Sequence, residues 1–320
     1  MSNPDAVPSL SDFRDRRTGL IVFGVLLIVV GCLDALMALL LLAGPLAMPG
    51  VGAAPTNDRV MVPGALTYGA LAGMFVWLGV GSVLTRRWAP PLILTVAWLW
   101  LVAGVFGSAF TAVLLPSLID AASQGGPLPD GFETVIMTMT LGIVTVVMVA
   151  LPSAVILFYR GRDVQATCDA RDPVPRWTDG RPLSLIGLSI SLALMAASLL
   201  PAVLFYHGVA PVFGVVISGI PGVVLNLMLM AGLASCAWGL LRGEVRAWWV
   251  AVISMTVASA SAAVTFARVE PGVMFRMMGI PPEQFPTEWP LGAPSMIALV
   301  VAVWLSLIAG LLSVKRHVRR

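Results

Sequence analysis

The stretch "VTVVMVALPSAVILFYRGRDVQATCDARDPVPRWTDGRPLSLIGLSISLALMAA" (residues 144–197) decides the fold class. Its centre, residues 160–182, holds nine charged side chains, whereas the apolar sequence on either side holds none. A membrane span needs about 20 mainly apolar residues to cross about 30 Å of hydrocarbon. The first apolar run extends back to residue 134 and the second forward to residue 207. Each is therefore long enough to span a membrane, with the charged segment in water between them.

The composition of the whole chain agrees with a membrane protein. Of its 320 residues, 58% are hydrophobic and 11% are charged, and the mean hydropathy is +0.95. A soluble domain is about 25% charged, and a core of this size could not hide so much apolar surface from water. The lipid bilayer is therefore the predicted partner. Nucleic acid is not expected, because the arginines stand at the ends of apolar runs rather than in one basic stripe.

Eight segments are long and apolar enough to be spans. Inside hydrocarbon, backbone N–H and C=O groups must be bonded within their own segment, so these segments are predicted to be helices and the fold class is all-α. Their continuous apolar character excludes a barrel, whose strands alternate over about ten residues. The predicted spans are residues 20–44, 64–85, 91–117, 134–159, 183–207, 221–241, 248–268 and 291–314.

The positive charges indicate the orientation of the chain. With a cytoplasmic N-terminus, sixteen of the 19 Lys and Arg residues fall in cytoplasmic segments, and only Arg59, Arg268 and Arg276 fall outside. Short loops rich in Lys and Arg stay on the cytoplasmic side of a membrane. We therefore predict a multi-pass protein of a bacterial inner membrane, with both termini in the cytoplasm.

The two halves of the chain resemble each other. At an offset of 160 residues, Gly79 aligns with Gly239 and Trp88 with Trp248. An even number of spans gives both halves the same orientation, which predicts two parallel four-helix repeats. The predicted domains are a cytoplasmic segment (1–19), a first half (20–160), a cytoplasmic linker (161–182), a second half (183–314) and a basic cytoplasmic tail (315–320).

Asp34 is the carboxylate that falls near the middle of a predicted span. A central aspartate costs about 2.5–3.5 kcal/mol on insertion scales, so its side chain should face protein or water rather than lipid. Two interpretations stay open. Asp34 either binds a proton or cation in a cavity, or is a protonated or hydrogen-bonded group that fixes helix packing.

Other polar side chains recur within the predicted spans. Ser254, Ser261 and Thr265 fall on one face of the seventh span, and Asn226 lies in the sixth, where its amide could bridge two helices. Such hydroxyls either bond across a packed interface or line a path for a polar solute. The GxxxG pair at residues 69–73 favours close packing of the second span against another helix.

No catalytic or metal-binding pattern accompanies these residues. The sequence holds no P-loop, no HExxH and no GxSxG motif. Cys168 would be nucleophilic only with a lowered pKa, and no histidine base accompanies it. The segment 160–182 has one cysteine and no histidine, so no metal site is expected there. No cofactor is expected either.

Two function classes follow, and an enzyme is less favoured than either. The first is a small-solute or ion transporter or channel-like protein, with Asp34, Asn226 and the hydroxyls lining a path. The alternative is a non-catalytic membrane protein for assembly, signalling or scaffolding. In that case a protein partner would bind the loop 160–182, which is predicted to be solvated.

Overall fold

The computed structural model describes residues 14–47, 58–123, 131–174, 177–280 and 293–314. The described chain is mostly helical, and seven of its helical segments are long and apolar enough to cross a membrane. The chain thus has the helices of a multi-pass membrane protein. The predicted tail 315–320 and most of the predicted N-terminal segment lie outside the described residues.

The helices follow the predicted spans with shifted ends. In chain order the elements are α1 (Arg17–Ala47), α2 (Asp58–Val83), α3 (Ala89–Ser123), α4 (Phe132–Thr145), a π-helical turn (Val146–Ala150), α5 (Leu151–Tyr159), α6 (Arg162–Arg171), α7 (Leu183–Ala197), α8 (Leu200–Leu204), β1 (Ala210–Val212), β2 (Val215–Ile217), α9 (Ile220–Leu241), α10 (Val245–Arg268), α11 (Pro271–Met277) and α12 (Ala293–Val314). The eighth predicted span corresponds to α12. Its crossing of a membrane and the duplication of the two halves stay predictions.

The predicted span 183–207 does not run as one helix. α7 ends at Ala197, and the short α8 ends at Leu204. Pro201 accounts for the break, because proline has no N–H for the helical ladder and its ring displaces the preceding turn. The chain then forms the antiparallel pair β1 and β2, which the all-α prediction did not include.

Contacts divide the described chain into two compact units. Of the described residues, unit 1 contains 14–47, 64–108, 142–174 and 177–181, and unit 2 contains 58–63, 109–123, 131–141, 182–280 and 293–314. Each unit buries its own apolar side chains. Leu78, Ile93 and Val155 are fully buried in unit 1, as are Leu192 and Leu240 in unit 2.

In unit 1, α1 and α2 pack through small residues. A Cβ atom placed on Gly79 would lie 2.6 Å from the carbonyl oxygen of Gly24, and one placed on Gly31 would lie 2.9 Å from that of Ala72. Each helix contributes two contact residues seven positions apart, so all four lie along one seam. The GxxxG pair at 69–73 does not take part in this seam: a Cβ on either glycine would meet nothing within 4 Å among the described residues.

Pro152 interrupts the fourth predicted span. It cannot donate an N–H to the carbonyl four residues earlier, that of Met148, and a π-helical turn lies there instead. The Met148 carbonyl oxygen approaches α3 so closely that a Cβ on Gly104 would collide with it. The π turn and Gly104 therefore form one packing feature of unit 1.

A buried hydroxyl pair joins three helices of unit 1. The Ser82 hydroxyl donates to the carbonyl oxygen of Leu20 at 2.8 Å, and it lies 2.5 Å from the Tyr159 hydroxyl. Ser82 has a single hydroxyl hydrogen, which it gives to Leu20, so Tyr159 is the donor of the second bond. Both side chains are fully buried. The pair fixes the start of α1 to the ends of α2 and α5.

In unit 2, four helices form a ring of contacts. α7 contacts α9 and α12, and α10 contacts the same two helices. Trp304 in α12 donates its indole N–H to the hydroxyl of Thr256 in α10 at 3.3 Å. The buried core of the ring consists of Leu185, Leu188, Leu192, Ala196, Leu233, Cys236, Ala237, Leu240, Ala247, Trp248, Ala251 and Met255. The hairpin of β1 and β2 lies against α9 and α10.

Candidate functional site

The hairpin turns over two residues, Phe213 and Gly214. Val212 pairs with Val215, and φ is 44° at Phe213 and 91° at Gly214. Positive φ at both residues is the geometry of a type I′ turn, which matches the twist of the strands. Glycine adopts it freely, but phenylalanine is strained there. The turn therefore benefits from support by a neighbouring element.

α10 supplies that support. The N–H of Phe213 donates to Ser261 Oγ and the N–H of Gly214 donates to Thr265 Oγ1, each at 3.0 Å. Ser261 also donates to the carbonyl oxygen of Pro211 at 3.1 Å. Ser261 and Thr265 are both buried. Two of the predicted site residues thus form hydrogen bonds with the hairpin turn.

Asn226 holds the other end of the hairpin. Its buried amide donates to the carbonyl oxygen of Gly222 at 3.0 Å in α9, and to those of Gly208 and Val209 at 3.3 and 3.5 Å. A Cβ on Gly222 would collide with the Gly208 carbonyl, so glycine is required for this approach. The sequence placed Asn226 between two helices, and the structure places it between a helix and the segment that leads into the hairpin.

Replacing Thr265 by valine tests this support, since it keeps the side-chain shape and removes the hydroxyl. We expect the hairpin to lose about 1 kcal/mol of local stability, because the N–H of Gly214 loses its acceptor. Hydrogen exchange should become faster in residues 210–217. Ser254→Ala is the control, because the Ser254 hydroxyl bonds the Ala251 carbonyl within α10. Equal effects of the two substitutions would contradict the assignment.

An apolar groove of about 480 Å³ lies at the base of the hairpin. It is lined by Val62, Val203, Leu204, Phe205, His207, Gly219, Ile220 and Val223, all in unit 2. Leu204 is 64% exposed and Ile220 is 81% exposed, so the groove opens on the surface of the unit. Its volume falls within the range of about 300–1,000 Å³ that is typical of ligand sites.

The five predicted site residues fall into three groups. Ser261 and Thr265 bond the hairpin turn, and Asn226 bonds the segment that leads into the hairpin. Ser254 bonds its own helix. Asp34 belongs to α1 in unit 1, where its side chain is half-buried and its Oδ2 atom is buried without a hydrogen-bond partner among the described residues.

Part of the central charged segment, which was predicted to be a solvated loop, forms a helix with one buried side. Residues 162–171 form α6, which contacts α1 and α5 and buries Val164, Thr167 and Cys168. These three residues recur at helical spacing, so the segment has one buried stripe despite its charges. The N–H of Arg16 donates to Thr167 Oγ1 at 3.1 Å. This bond ties the start of α1 to α6.

Ion pairs hold the same segment against the helix ends of unit 1. Arg87 Nε lies 2.7 Å from Asp169 Oδ1 and 3.3 Å from Asp179 Oδ2, and the Arg87 N–H donates to Asp172 at 3.3 Å. Further pairs join Arg16 to Asp163 at 3.7 Å and Arg171 to Asp15 at 2.7 Å. Burial raises the pKa of the Asp169 carboxyl, although the Arg87 guanidinium opposes the change. The acidic side chains of the segment thus serve its folding.

Cys168 is a buried thiol of low reactivity. The residue is only 1% exposed to solvent. Burial raises the pKa of the thiol to about 12, with smaller contributions from Asp169 and Asp172. A nucleophilic cysteine needs a lowered pKa, so the burial of Cys168 and the raised pKa of its thiol both disfavour a nucleophilic role.

The modification of Cys168 should depend on pH and on folding. At neutral pH we expect a maleimide to modify Cys168 about a thousandfold more slowly in the folded than in the unfolded protein, because the folded thiolate fraction is that much smaller. In the folded protein the pKa of the Cys168 thiol lies above its ordinary value of 9.0. The neutral thiol therefore stabilises the folded state at pH values below about 9. That contribution is lost as the pH rises from about 9 towards 12. Peptide mass spectrometry measures the rate at which maleimide modifies Cys168. Rapid modification of the folded protein at neutral pH would contradict this prediction.

Sequence reasoning missed the hairpin and its groove. The available signal was "APVFGVVI" (residues 210–217), in which valine-rich flanks surround Phe213 and Gly214. Two β-branched runs separated by a residue pair that includes glycine are typical of a hairpin. The uniformly apolar surroundings concealed this signal, because strand and helix can both be built from the same residues in a membrane protein.

Neither a metal centre nor a relative indicates the function. In the ranges that the structure describes, no group of three or more His, Cys, Asp or Glu side chains is arranged to hold a metal ion. Among protein-family models, curated proteins and solved structures, none matches this chain.

Proposed function

We propose that this chain is a non-catalytic membrane protein that holds an apolar ligand, with the chemistry of a lipid acyl chain, in the groove at the base of its hairpin. One observation carries the proposal. Ser261 and Thr265 are buried and bond the hairpin turn, and the buried Asn226 bonds residues 208 and 209, which lead from the groove into the hairpin. The hairpin connects two segments that line the groove, at His207 and at Gly219. Holding this connection in place before binding lowers the entropy lost when a ligand binds.

The lining of the groove favours an apolar ligand over an ionic one. Seven of its eight lining residues are apolar or glycine, and His207 is the exception. An ionic solute would lose its hydration in such a groove without gaining enough hydrogen bonds. A hydrocarbon chain carries no such penalty, and the exposed Leu204 and Ile220 leave an entrance on the surface of unit 2.

The proposal also assigns an orientation. The bias of the positive charges supports cytoplasmic termini in a bacterial inner membrane. In this orientation the hairpin end of α9 lies outside the cytoplasm, and Arg242 at its other end lies inside. The groove would then take its ligand from the outer leaflet.

A photoactivatable fatty acid that carries a diazirine tests this function. We expect irradiation of the purified full-length protein with this probe to give cross-links within residues 203–223, and unlabelled fatty acid to compete for them. Val203→Trp fills the groove with a larger side chain and should remove most of these cross-links. Mass spectrometry of the peptides measures their positions.

Val224→Trp is the matched control for the groove substitution. Val224 is exposed and is not among the residues that line the groove, so cross-linking should stay at the wild-type level. Equal cross-linking of the wild type and of Val203→Trp, or labelling spread evenly over all exposed apolar helices, would refute the function.

Asp34 favours a second function, the transport of a proton or cation. Its buried Oδ2 atom lacks a hydrogen-bond partner in the described structure, and intramembrane carboxylates often mark ion pathways. Asp34→Asn keeps the shape of the side chain and removes its charge. In proteoliposomes it should abolish proton flux, measured with an enclosed pH-sensitive dye, while leaving the fold nearly intact. Unchanged flux would remove Asp34 from any transport mechanism.

A further inference from the structure

Six arginines of unit 1 are exposed and form no ion pair with another described residue, and four of them lie in the charged segment or at the helix end beside it. The carboxylates of Asp15, Asp163, Asp169 and Asp179 each form an ion pair with an arginine, and that of Asp172 accepts a hydrogen bond from the N–H of Arg87. Arg86, Arg160, Arg162 and Arg181 are exposed, and no ion pair links any of them to another described residue. We name these four residues the arginine face. Its positive charge is therefore available to a ligand.

The arginine face lies at the depth of lipid headgroups. Arg160 directly follows the span that ends at Tyr159, and Arg86 follows Val83, the end of another span, by three residues. The chain turns back after Val83, and the N–H of Arg86 donates to the carbonyl oxygen of Gly81 at 2.9 Å, so Arg86 stays close to the end of that span. The headgroup region on each side of the hydrocarbon is about 5–7 Å thick. Guanidinium groups on side chains in this layer can reach lipid phosphates without leaving it.

The same region exposes apolar surface beside the charges. Trp177 is 50% exposed, and the Arg181 guanidinium lies over its ring at 5.9 Å from the ring centroid. Val174 is exposed as well. Tryptophan is enriched at the boundary between membrane and water, where one part of its ring system meets hydrocarbon and another meets polar groups. Arginine beside an exposed tryptophan suits a lipid surface better than a fully aqueous one.

We propose that the arginine face binds the phosphate headgroups of anionic phospholipids. Guanidinium groups hold phosphate through paired N–H donors, and the α6 segment is fixed by its own ion pairs before any lipid arrives. This binding is independent of the groove in unit 2, because it uses charge rather than apolar contact. The ligand is a membrane lipid rather than a free anion.

Native mass spectrometry of the full-length protein tests the proposal. With equal amounts of phosphatidylglycerol and phosphatidylcholine in the detergent, we expect a preference for phosphatidylglycerol among the retained lipids. Arg160→Gln combined with Arg181→Gln should reduce this preference about tenfold, since each arginine near a membrane surface strengthens the binding of anionic lipid several-fold. The matched control is Arg268→Gln with Arg276→Gln, which removes the same charge from two exposed arginines outside the arginine face.

Each outcome decides the proposal. Loss of the preference in the first double variant, with an unchanged unfolding temperature and an unchanged preference in the control, supports it. An equal loss in both double variants would show an effect of net charge, and no loss in the first would show that the arginine face does not bind lipid. Either result overturns the proposal. So would displacement of the retained lipid by excess inorganic phosphate, because the site would then bind free anions.

Discussion

Replacing Gly79 by leucine is expected to destabilise unit 1 by about 3 kcal/mol, since it forces extra volume into a packed contact. The new Cβ would lie 2.6 Å from the carbonyl oxygen of Gly24 and 3.0 Å from the backbone nitrogen of Ile28. Both neighbours are backbone atoms of α1, so no side-chain rotation can relieve the overlap. α1 and α2 would have to separate. Equilibrium unfolding in mixed detergent micelles, followed by tryptophan fluorescence, measures the change.

Gly69→Leu is the control for this prediction. Gly69 lies in the same helix, and a Cβ on it would meet no atom within 4 Å in the part of the chain that the structure describes. An added leucine side chain would face open space and should change the stability by no more than about 0.5 kcal/mol. If Gly69→Leu were as harmful as Gly79→Leu, α2 would pack through its GxxxG pair and the seam described for α1 and α2 would be wrong.

Replacing Arg87 by alanine is expected to cost about 2 kcal/mol and to release the α6 segment from unit 1. Its guanidinium is the ion-pair partner of both Asp169 and Asp179, and its side chain is only 29% exposed. Without it, Asp169 and Asp179 would each lose an ion pair with the cation that lies between them. Hydrogen exchange should then accelerate in residues 162–171, while the core of unit 2 keeps its protection.

Arg86→Ala supplies the comparison for Arg87. The two residues are neighbours in the chain, but Arg86 is exposed and forms no ion pair with a described residue. Its removal should leave exchange in residues 162–171 unchanged. Equal acceleration in both variants would mean that positive charge in general, rather than the Arg87 ion pairs, keeps α6 in place.

The membrane-spanning character of this chain was predictable because it depends on local composition. The apolar run at 221–241 predicts α9, Ile220–Leu241, to within one residue. A helix forms there because it pairs the backbone N–H and C=O groups of the segment with one another inside hydrocarbon. Proline effects are local too. Pro152 and Pro201 stand where the helices change, but the sequence does not say whether a membrane helix will kink, bulge or stop at a proline.

The candidate site was less predictable because it depends on distant pairs. Ser261 and Thr265 bond residues 48 and 51 positions away. Sequence reasoning identified both hydroxyls as unusual within a span, but their spacing fits a helix interface or a solute path as well as it fits a hairpin support. The ion pairs of α6 pose the same problem, since Arg171 and Asp15 are 156 residues apart.

Cysteine labelling on the two ends of α9 tests the membrane orientation on which the proposed function depends. In a variant without the native cysteines, single cysteines replace Phe213 in the hairpin turn and Glu244 just beyond the other end of α9, both exposed positions. A membrane-impermeant maleimide is added to intact cells and, separately, to permeabilised cells. The cysteine at 213 should be modified in both, and the cysteine at 244 only after permeabilisation. Modification of both cysteines in intact cells, or of the one at 244 alone, would contradict a membrane-spanning α9 whose hairpin end lies outside the cytoplasm.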